Sequence, residues 1–343
     1  MKTSTRWKLC VFVVGAIVSV GFGTNTIRGQ NATSGQGAGR GEASPAVDRY
    51  PWDHPTVIFQ GEPYTERSIS TRNDGDRELG RTALPPHKII GNLYWVGTQT
   101  LASYLITTPQ GHILVNSTYE ENVKPVIQKS VEQLGFKFSD IKILIGNHAH
   151  GDHQEGDALV KEMTGAQVMV MAEDVDLVKT IKPQGKEHPL DKIFHDGDPI
   201  ALGGTTLTAH LTPGHTHGAT TYTTTITDGG RPYNVVLFTS FRLRSPYSTG
   251  PEVLNDATVA EFNRSFKWVS TIKCDVPLGD HTEEFLQREK YAKLKSGGPN
   301  PYIDPEGCRT EAHLEEAMLR AVLAEIKANP ALAIRPPAAA RGR

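Results

Sequence analysis

The order of predicted elements places this chain in the α/β class, with sheets sandwiched between helices on the outside. Three observations carry that reading. From residue 87 onward, short β-type runs alternate with helical spacing. Residues 193–240 then read as a run of strands, and helical patterns return near 257–272 and 310–327. At 343 residues the chain suits one large domain or two small ones, with ample length to bury a core.

The N-terminus is a separate matter. Lys2, Arg6 and Lys8 precede an apolar stretch from Leu9 to Val20, and Gly21, Gly23 and Thr24 follow. This is the three-part pattern of a secretory signal peptide, placed at residues 1–29. The alternative is a membrane anchor, but a span needs about 20 apolar residues and this run is shorter. No stable anchor is expected, and the chain is expected to be secreted or periplasmic. Cys10 lies inside the apolar run rather than after it, so lipidation is not expected. Cleavage between residues 23 and 30 takes three or four cations from a formal charge of −2 and leaves −5 or −6. It also leaves Cys274 and Cys308, which in an oxidising compartment read as a disulfide; the alternative is two buried thiols.

Residues 30–86 read as a leader followed by an arm. Residues 31–50 are rich in Gly, Ser and Ala and have too little apolar content to pack. Residues 51–86 scatter Trp52, Phe59 and Tyr64 among many charges, as an irregular arm over the domain would. The domain itself is placed at 87–328. KIIGNLYWVG, SYLITT and GHILVNS read as three short strands, with a tight turn at Pro109-Gln110-Gly111. Val123, Val126, Ile127, Val131 and Leu134 have helical spacing and end on Gly135, which predicts a helix over 121–135. IKILIGN (141–147) is a buried-type strand, followed by a helix over 157–164 and a strand over 168–172. Gly-Asp, Gly-Gly and Asp-Gly-Gly punctuate the strands of 193–240. A short strand over 275–279 precedes the last helix, whose stripe is Leu314, Met318, Val322 and Ile326. The Pro-rich residues 329–343 read as a loose tail.

Chemistry concentrates in the histidines. Of 13, three fall in the segment His148-Ala149-His150-Gly151-Asp152-His153, directly after the strand IKILIGN. In an extended segment His148 and His150 point the same way, and Gly151 lets the chain turn so that Asp152 and His153 face a second ion. Zinc takes imidazole nitrogens and carboxylate oxygens at about 2.0–2.2 Å, and H-x-H-x-D-H supplies that donor chemistry. Further donors must come from elsewhere. His215 and His217 sit in the turn Thr-Pro-Gly-His-Thr-His-Gly after a strand, and His281 follows the strand of 275–279. Each group lies where a strand meets a loop, as a shared cleft at one sheet edge requires.

H-x-H-x-D-H, then T-P-G-H-T, then a late G-x-H resembles the metallo-β-lactamase superfamily, over roughly His87 to Ala328. GNLYWVGT, PQGHILVNS, GGTTLTAHLTPGHT and NPYIDPEG resemble class B β-lactamases of the third subclass. The resemblance implies a four-layer αβ/βα sandwich. It implies one zinc on His148, His150 and His215 and a second on Asp152, His153 and His281. It also implies a disulfide like that of some members between Cys274 and Cys308. The first two subclasses use a cysteine ligand before the last histidine, and none lies between His215 and Cys274. Glyoxalase-like and lactonase-like relatives use a bridging aspartate where this chain has Thr239-Ser240. Gln154, Glu155, His217 and Arg242 depart from the subclass pattern.

Two zinc ions about 3.5–4 Å apart can share a water and lower its pKa, so a bridging hydroxide is the expected nucleophile, oriented by Asp152. The expected reaction is opening of a β-lactam amide, which gives antibiotic resistance. The subclass fixes the substrate carboxylate with serine hydroxyls. Here Ser240 is kept and Arg242 stands two residues on, so an extended segment turns both into the cleft and Arg242 can make paired bonds to a carboxylate. The alternative is a solvated surface charge. A second reading keeps the metals and changes the substrate to another ester, lactone or phosphoester. A third is a zinc-stabilised binding protein with a blocked cleft. No S-x-x-K or G-x-S-x-G motif offers a serine nucleophile. Near-balanced charge without a basic run argues against nucleic acid, and nothing implies a protein partner. The expected ligand is a small molecule.

Overall fold

The computed structural model describes residues 55–66, 68–69, 78–243 and 254–328, all within the unit Pro45–Arg343. The predicted signal peptide, the leader to residue 54 and the tail from 329 lie outside the described residues. The arm opens with a hairpin, β1 (Val57–Phe59) and β2 (Glu62–Tyr64), paired antiparallel. A seven-stranded sheet then runs in sequence order through β3 (His87–Ile90), β4 (Leu93–Trp95), β5 (Tyr104–Thr108), β6 (Gly111–Val115), β7 (Ile141–Ile145), β8 (Gln167–Met171) and β9 (Lys192–Phe194). Its first four strands pair antiparallel, and β6 to β9 are parallel. A five-stranded sheet follows: β10 (Pro199–Leu202), β11 (Thr205–Leu211), β12 (Thr220–Asp228), β13 (Arg231–Leu237) and β14 (Val276–Leu278), with only the last pair parallel.

Alternation along the strands divides the apolar residues between faces. Met169 and Met171 of β8, and Val235 and Leu237 of β13, join one core that lies between the sheets. Val168 and Val170, with Leu105, Leu114 and Leu144, face outward into a second core. There they meet Val123, Ile127 and Val131, together with Val160 of a helix over Asp157–Thr164. Val236, beside Phe238, faces a third core with Phe262, Phe266, Leu314, Met318 and Val322. Three cores between four layers make the αβ/βα sandwich. Val57, Phe59 and Tyr64 of the arm pack against this third core.

The helices on the first sheet are α1 (Lys129–Gln133), α2 (Gly151–Gln154), α3 (Asp157–Thr164) and α4 (Val175–Val178). Those that follow are α5 (Asp256–Val269), α6 (Gln287–Ser296) and α7 (Thr310–Ala328). The helix expected over 121–135 is composite. A 3-10 turn at Glu120–Asn122 and a π turn at Val123–Gln128, which holds Pro125, lead into α1. Pro125 has no N–H to donate, so the regular ladder begins only beyond it. A capping box starts α5: Asn255 accepts from the Ala257 and Thr258 N–H groups, and Thr258 answers through its hydroxyl. α6 was not expected, because its QREKYAKLKS sequence has no apolar stripe.

Candidate metal centre

Parallel pairing brings the C-terminal ends of β6, β7 and β8 to one sheet edge, and the chain places its histidines there. His148 and His150 leave β7, and the one-turn helix α2 carries Asp152 and His153. His215 sits in the 212–219 loop between β11 and β12, and His281 follows β14. Donor atoms of His148, His150 and His215 lie within 4.8 Å of one another. Beside them, Asp152 Oδ2 is 3.4 Å from His153 Nε2 and 3.7 Å from His281 Nε2. The His148 and His153 rings are 4.2 Å apart, so the two groups adjoin. All six residues singled out in the sequence therefore meet at one place.

Hydrogen bonds hold both loops. Asn147 donates its side-chain N–H to the Thr220 carbonyl at 3.0 Å and receives the Thr220 N–H at its own carbonyl at 2.7 Å, tying β7 to the second sheet. The buried Asp174 accepts from the Ala149 N–H at 2.9 Å and from the Thr216 hydroxyl and Gly218 N–H, each at 2.8 Å. One carboxylate thus pins the His148–His150 segment to the His215 loop. In that loop Gly214 has φ 137°, and a Cβ there would meet the Phe262 ring at 2.5 Å, so glycine is required. Asn116 and Thr118 both have positive φ, and the Thr118 N–H donates to the His153 carbonyl at 3.1 Å. A β-branched residue in that region stores strain, here beneath a donor helix.

The imidazoles are oriented by their second nitrogens. His215 Nδ1 lies 2.8 Å from the Arg242 carbonyl, which accepts its proton. His148 Nδ1 lies 3.0 Å from Asp280 Oδ2, and His148 Nε2 is buried with no hydrogen-bond partner. His153 Nδ1 is likewise buried without one, and its Nε2 meets Asp152 Oδ2 at 3.4 Å. Burial, and then the His153 charge, hold the His148 pKa well below its usual value, so the ring is neutral with a lone pair to give. Burial would raise the Asp152 carboxyl, but His153 and His281 outweigh it and keep the group well below the usual carboxylate range. Buried, unsatisfied imidazole nitrogens beside an ionised carboxylate fit a zinc ion, which takes nitrogen and oxygen donors.

A cleft of about 1280 Å³ opens over His150 and Asp152, with Tyr119, Glu155 and Arg242 on its walls. β13 ends at Leu237, and 238–243 is not a strand, so the two-residue period does not govern Ser240 and Arg242. Arg242 lines the cleft. Burial lowers the His281 pKa, and the Arg242 charge acts in the same direction. Ser240 is buried and bonded to Glu284, and its hydroxyl accepts the Arg242 N–H at 3.2 Å. Gln154 turns inward and donates to the His148 carbonyl at 2.8 Å. His217 pairs with Glu261 at 2.9 Å. Sequence reasoning missed Asp174 and Asp280. The position of Asp280 directly before a donor histidine was a usable signal, whereas Asp174 gives none locally. Cys274 and Cys308 form a disulfide.

The four-layer sandwich with a histidine-rich edge defines a metal-dependent hydrolase. No protein-family model matches the chain. Among solved structures, the native FEZ-1 metallo-β-lactamase from Legionella gormanii is 40% identical at TM-score 0.67, covering 72% of this chain and 98% of that one. BJP-1, a subclass B3 metallo-β-lactamase of Bradyrhizobium japonicum, is 32% identical at TM-score 0.66, covering 74% and 98%. SMB-1, in a complex with mercaptoacetic acid, is 30% identical at TM-score 0.63, covering 71% and 98%. The chain belongs to the subclass B3 metallo-β-lactamases and is a zinc-dependent hydrolase.

Proposed function

We propose that the chain opens β-lactam rings with two zinc ions and so confers antibiotic resistance, acting outside the cytoplasm after loss of residues 1–29. The observation that carries this reading is the meeting of six donors beside a cleft lined by His150 and Asp152: His148, His150 and His215 lie within 4.8 Å of one another, and Asp152 lies 3.4 Å from His153 and 3.7 Å from His281. His148, His150 and His215 would hold one ion, and Asp152, His153 and His281 the other. Two such ions would supply a water of lowered pKa as the nucleophile and Lewis-acid stabilisation of the charge that develops on the amide. The chain's own residues do the positioning. Asp152, kept ionised, would serve both as a metal donor and as an acceptor for the proton of an attacking water. Asp174 and Asn147 hold the donor loops at fixed spacing. Arg242, whose charge also acts on the buried Glu66, would present N–H donors to a substrate carboxylate at the cleft wall. Ser240 supports its backbone from beneath. The disulfide and the N-terminal pattern both suit an exported protein.

A second reading keeps the centre and changes the substrate to a lactone, another ester or a phosphoester. Arg242 favours it, because a guanidinium binds phosphate as well as carboxylate. One experiment separates the two: zinc-loaded protein assayed on a chromogenic cephalosporin beside lactone and phosphodiester controls, with zinc measured by elemental analysis. Rapid turnover of the cephalosporin with about two zinc ions per chain is expected. Turnover of a control alone would move the assignment to the second reading, and a tight stoichiometry of one would defeat the dinuclear centre.

A further inference from the structure

We propose that Asp280 is a positioning residue of the metal centre, turning the His148 ring so that Nε2 faces the three-histidine position and placing a fixed negative charge beneath both donor triads. This rests on the zinc reading above and deepens it. Asp280 is fully buried, between β14 and His281. Its Oδ2 lies 3.0 Å from His148 Nδ1 and accepts the Ser240 N–H at 2.8 Å, with the Thr239 hydroxyl at 3.4 Å. The carboxylate is therefore fixed from the backbone side and cannot swing away from the ring. His148 Nε2, on the opposite side of the same ring, is buried and has no partner. An imidazole that donates N–H to a carboxylate at one nitrogen and is bare at the other is oriented to give the lone pair of that second nitrogen to a metal.

The same group reaches further than His148. A carboxylate oxygen of Asp280 lies within 4.8 Å of a ring nitrogen of each of His153 and His281. Its charge thus faces donors of both proposed ions. The contrast within the first triad is informative. His215 is backed by the neutral Arg242 carbonyl, whereas His148 is backed by a full charge. Carboxylate backing raises the basicity of an imidazole and its affinity for metal, and loss of such a partner typically weakens affinity about 10–100-fold. Asp280 Oδ2 is engaged by His148 and Ser240, while Oδ1 is buried without a hydrogen-bond partner, so the metal titration below separates action through the ring from direct ligation.

The test uses the full chain as wild type, Asp280→Asn and Asp280→Ala. Near-ultraviolet circular dichroism fixes the folded fraction of each, and competition with a chromophoric chelator gives zinc dissociation constants per folded molecule. Absorption of the cobalt-substituted forms reports the ligand field. Asp280→Ala is expected to bind zinc about 10–100-fold more weakly and to shift the cobalt bands. Asp280→Asn keeps an acceptor for His148 Nδ1 while losing the charge, so it should restore the wild-type cobalt bands and recover only part of the affinity. If the alanine variant does not fold, the asparagine variant carries the test through its zinc constant. Zinc constants within threefold of wild type in folded variants would overturn the proposal. So would the outright loss of one zinc equivalent with the other unchanged, which would make Asp280 a ligand. A wild-type chain that takes up no zinc would instead sink the zinc reading itself.

Discussion

Arg242 serves the cleft twice. Its carbonyl fixes the His215 ring, and its side chain carries positive charge on the cleft wall. Because the two roles use different atoms, truncation separates them. Arg242→Ala keeps the carbonyl and removes the fork, so the expected effect is a roughly 10-fold rise in KM for carboxylate-bearing substrates, from one charged hydrogen bond of about 1.5 kcal/mol. Steady-state kinetics on a carboxylate-bearing cephalosporin and on its neutral ester should show the rise for the first alone. Equal effects on both would show that the guanidinium does not read the carboxylate. At this scale the sequence was legible where chemistry is local. His148, His150, Asp152 and His153 fall within six residues and announce themselves by donor type and spacing. The residues that orient them do not. Asp174 is 25 positions from Ala149 and 44 from Gly218, and Asp280 is more than 100 from His148, so their meaning exists only once the sheets have formed.

Among the elements, those with a strong apolar pattern were readable and those without one were not. α3 and α7 match their expected ranges because each lays an apolar stripe on a core. α6 buries Gln287 and Lys290, the latter paired with Asp304 at 2.9 Å, and sets only Tyr291 and Leu294 against the inter-sheet core, so its buried face is half polar and gives no apolar stripe in the sequence. The disulfide links the segment before β14 to the 3-10 turn Pro305–Arg309 that leads into α7. The bridge spans His281 in sequence and closes a loop at a sequence separation of 34. Closing a loop of that length removes denatured-state entropy equivalent to about 3–4 kcal/mol. Urea unfolding of the oxidised protein and of a Cys274→Ser, Cys308→Ser variant should differ by about that amount. Coincident unfolding curves would show that the native state gains nothing from the bridge.

Across the whole molecule the layer order could be inferred from alternation, but the allotment of strands could not. β9 closes the first sheet although the run of 193–240 reads as one continuous series, because the edge it takes is set by the parallel partner β8. The inter-sheet core also holds an acid-sensitive group. His87 is packed near Trp95 and Tyr291, with Nδ1 against the Pro85 carbonyl and Nε2 against the Tyr302 hydroxyl. Burial lowers its pKa to about 4. The folded state therefore prefers the neutral ring while the unfolded chain protonates near 6.5. Stability from this group is complete above pH 6.5 and is lost as pH falls towards 4, by up to about 3 kcal/mol. His87→Gln should flatten that part of the profile, as read from urea midpoints at pH 7 and pH 4.5. An unchanged slope would place the acid sensitivity elsewhere.

The donors hang from two separate sheets: His148, His150, Asp152 and His153 from the first, His215 and His281 from the second. Any ion gripped by both sets is a rivet between layers, and its binding energy counts towards keeping the sandwich shut. Zinc-loaded protein should then unfold at a higher urea midpoint than chelator-treated protein. Starved of zinc, the chain would not simply fall idle and wait to be refilled. It would open more often along the seam and be cleared by proteases, so scarcity would deplete the enzyme as well as silence it.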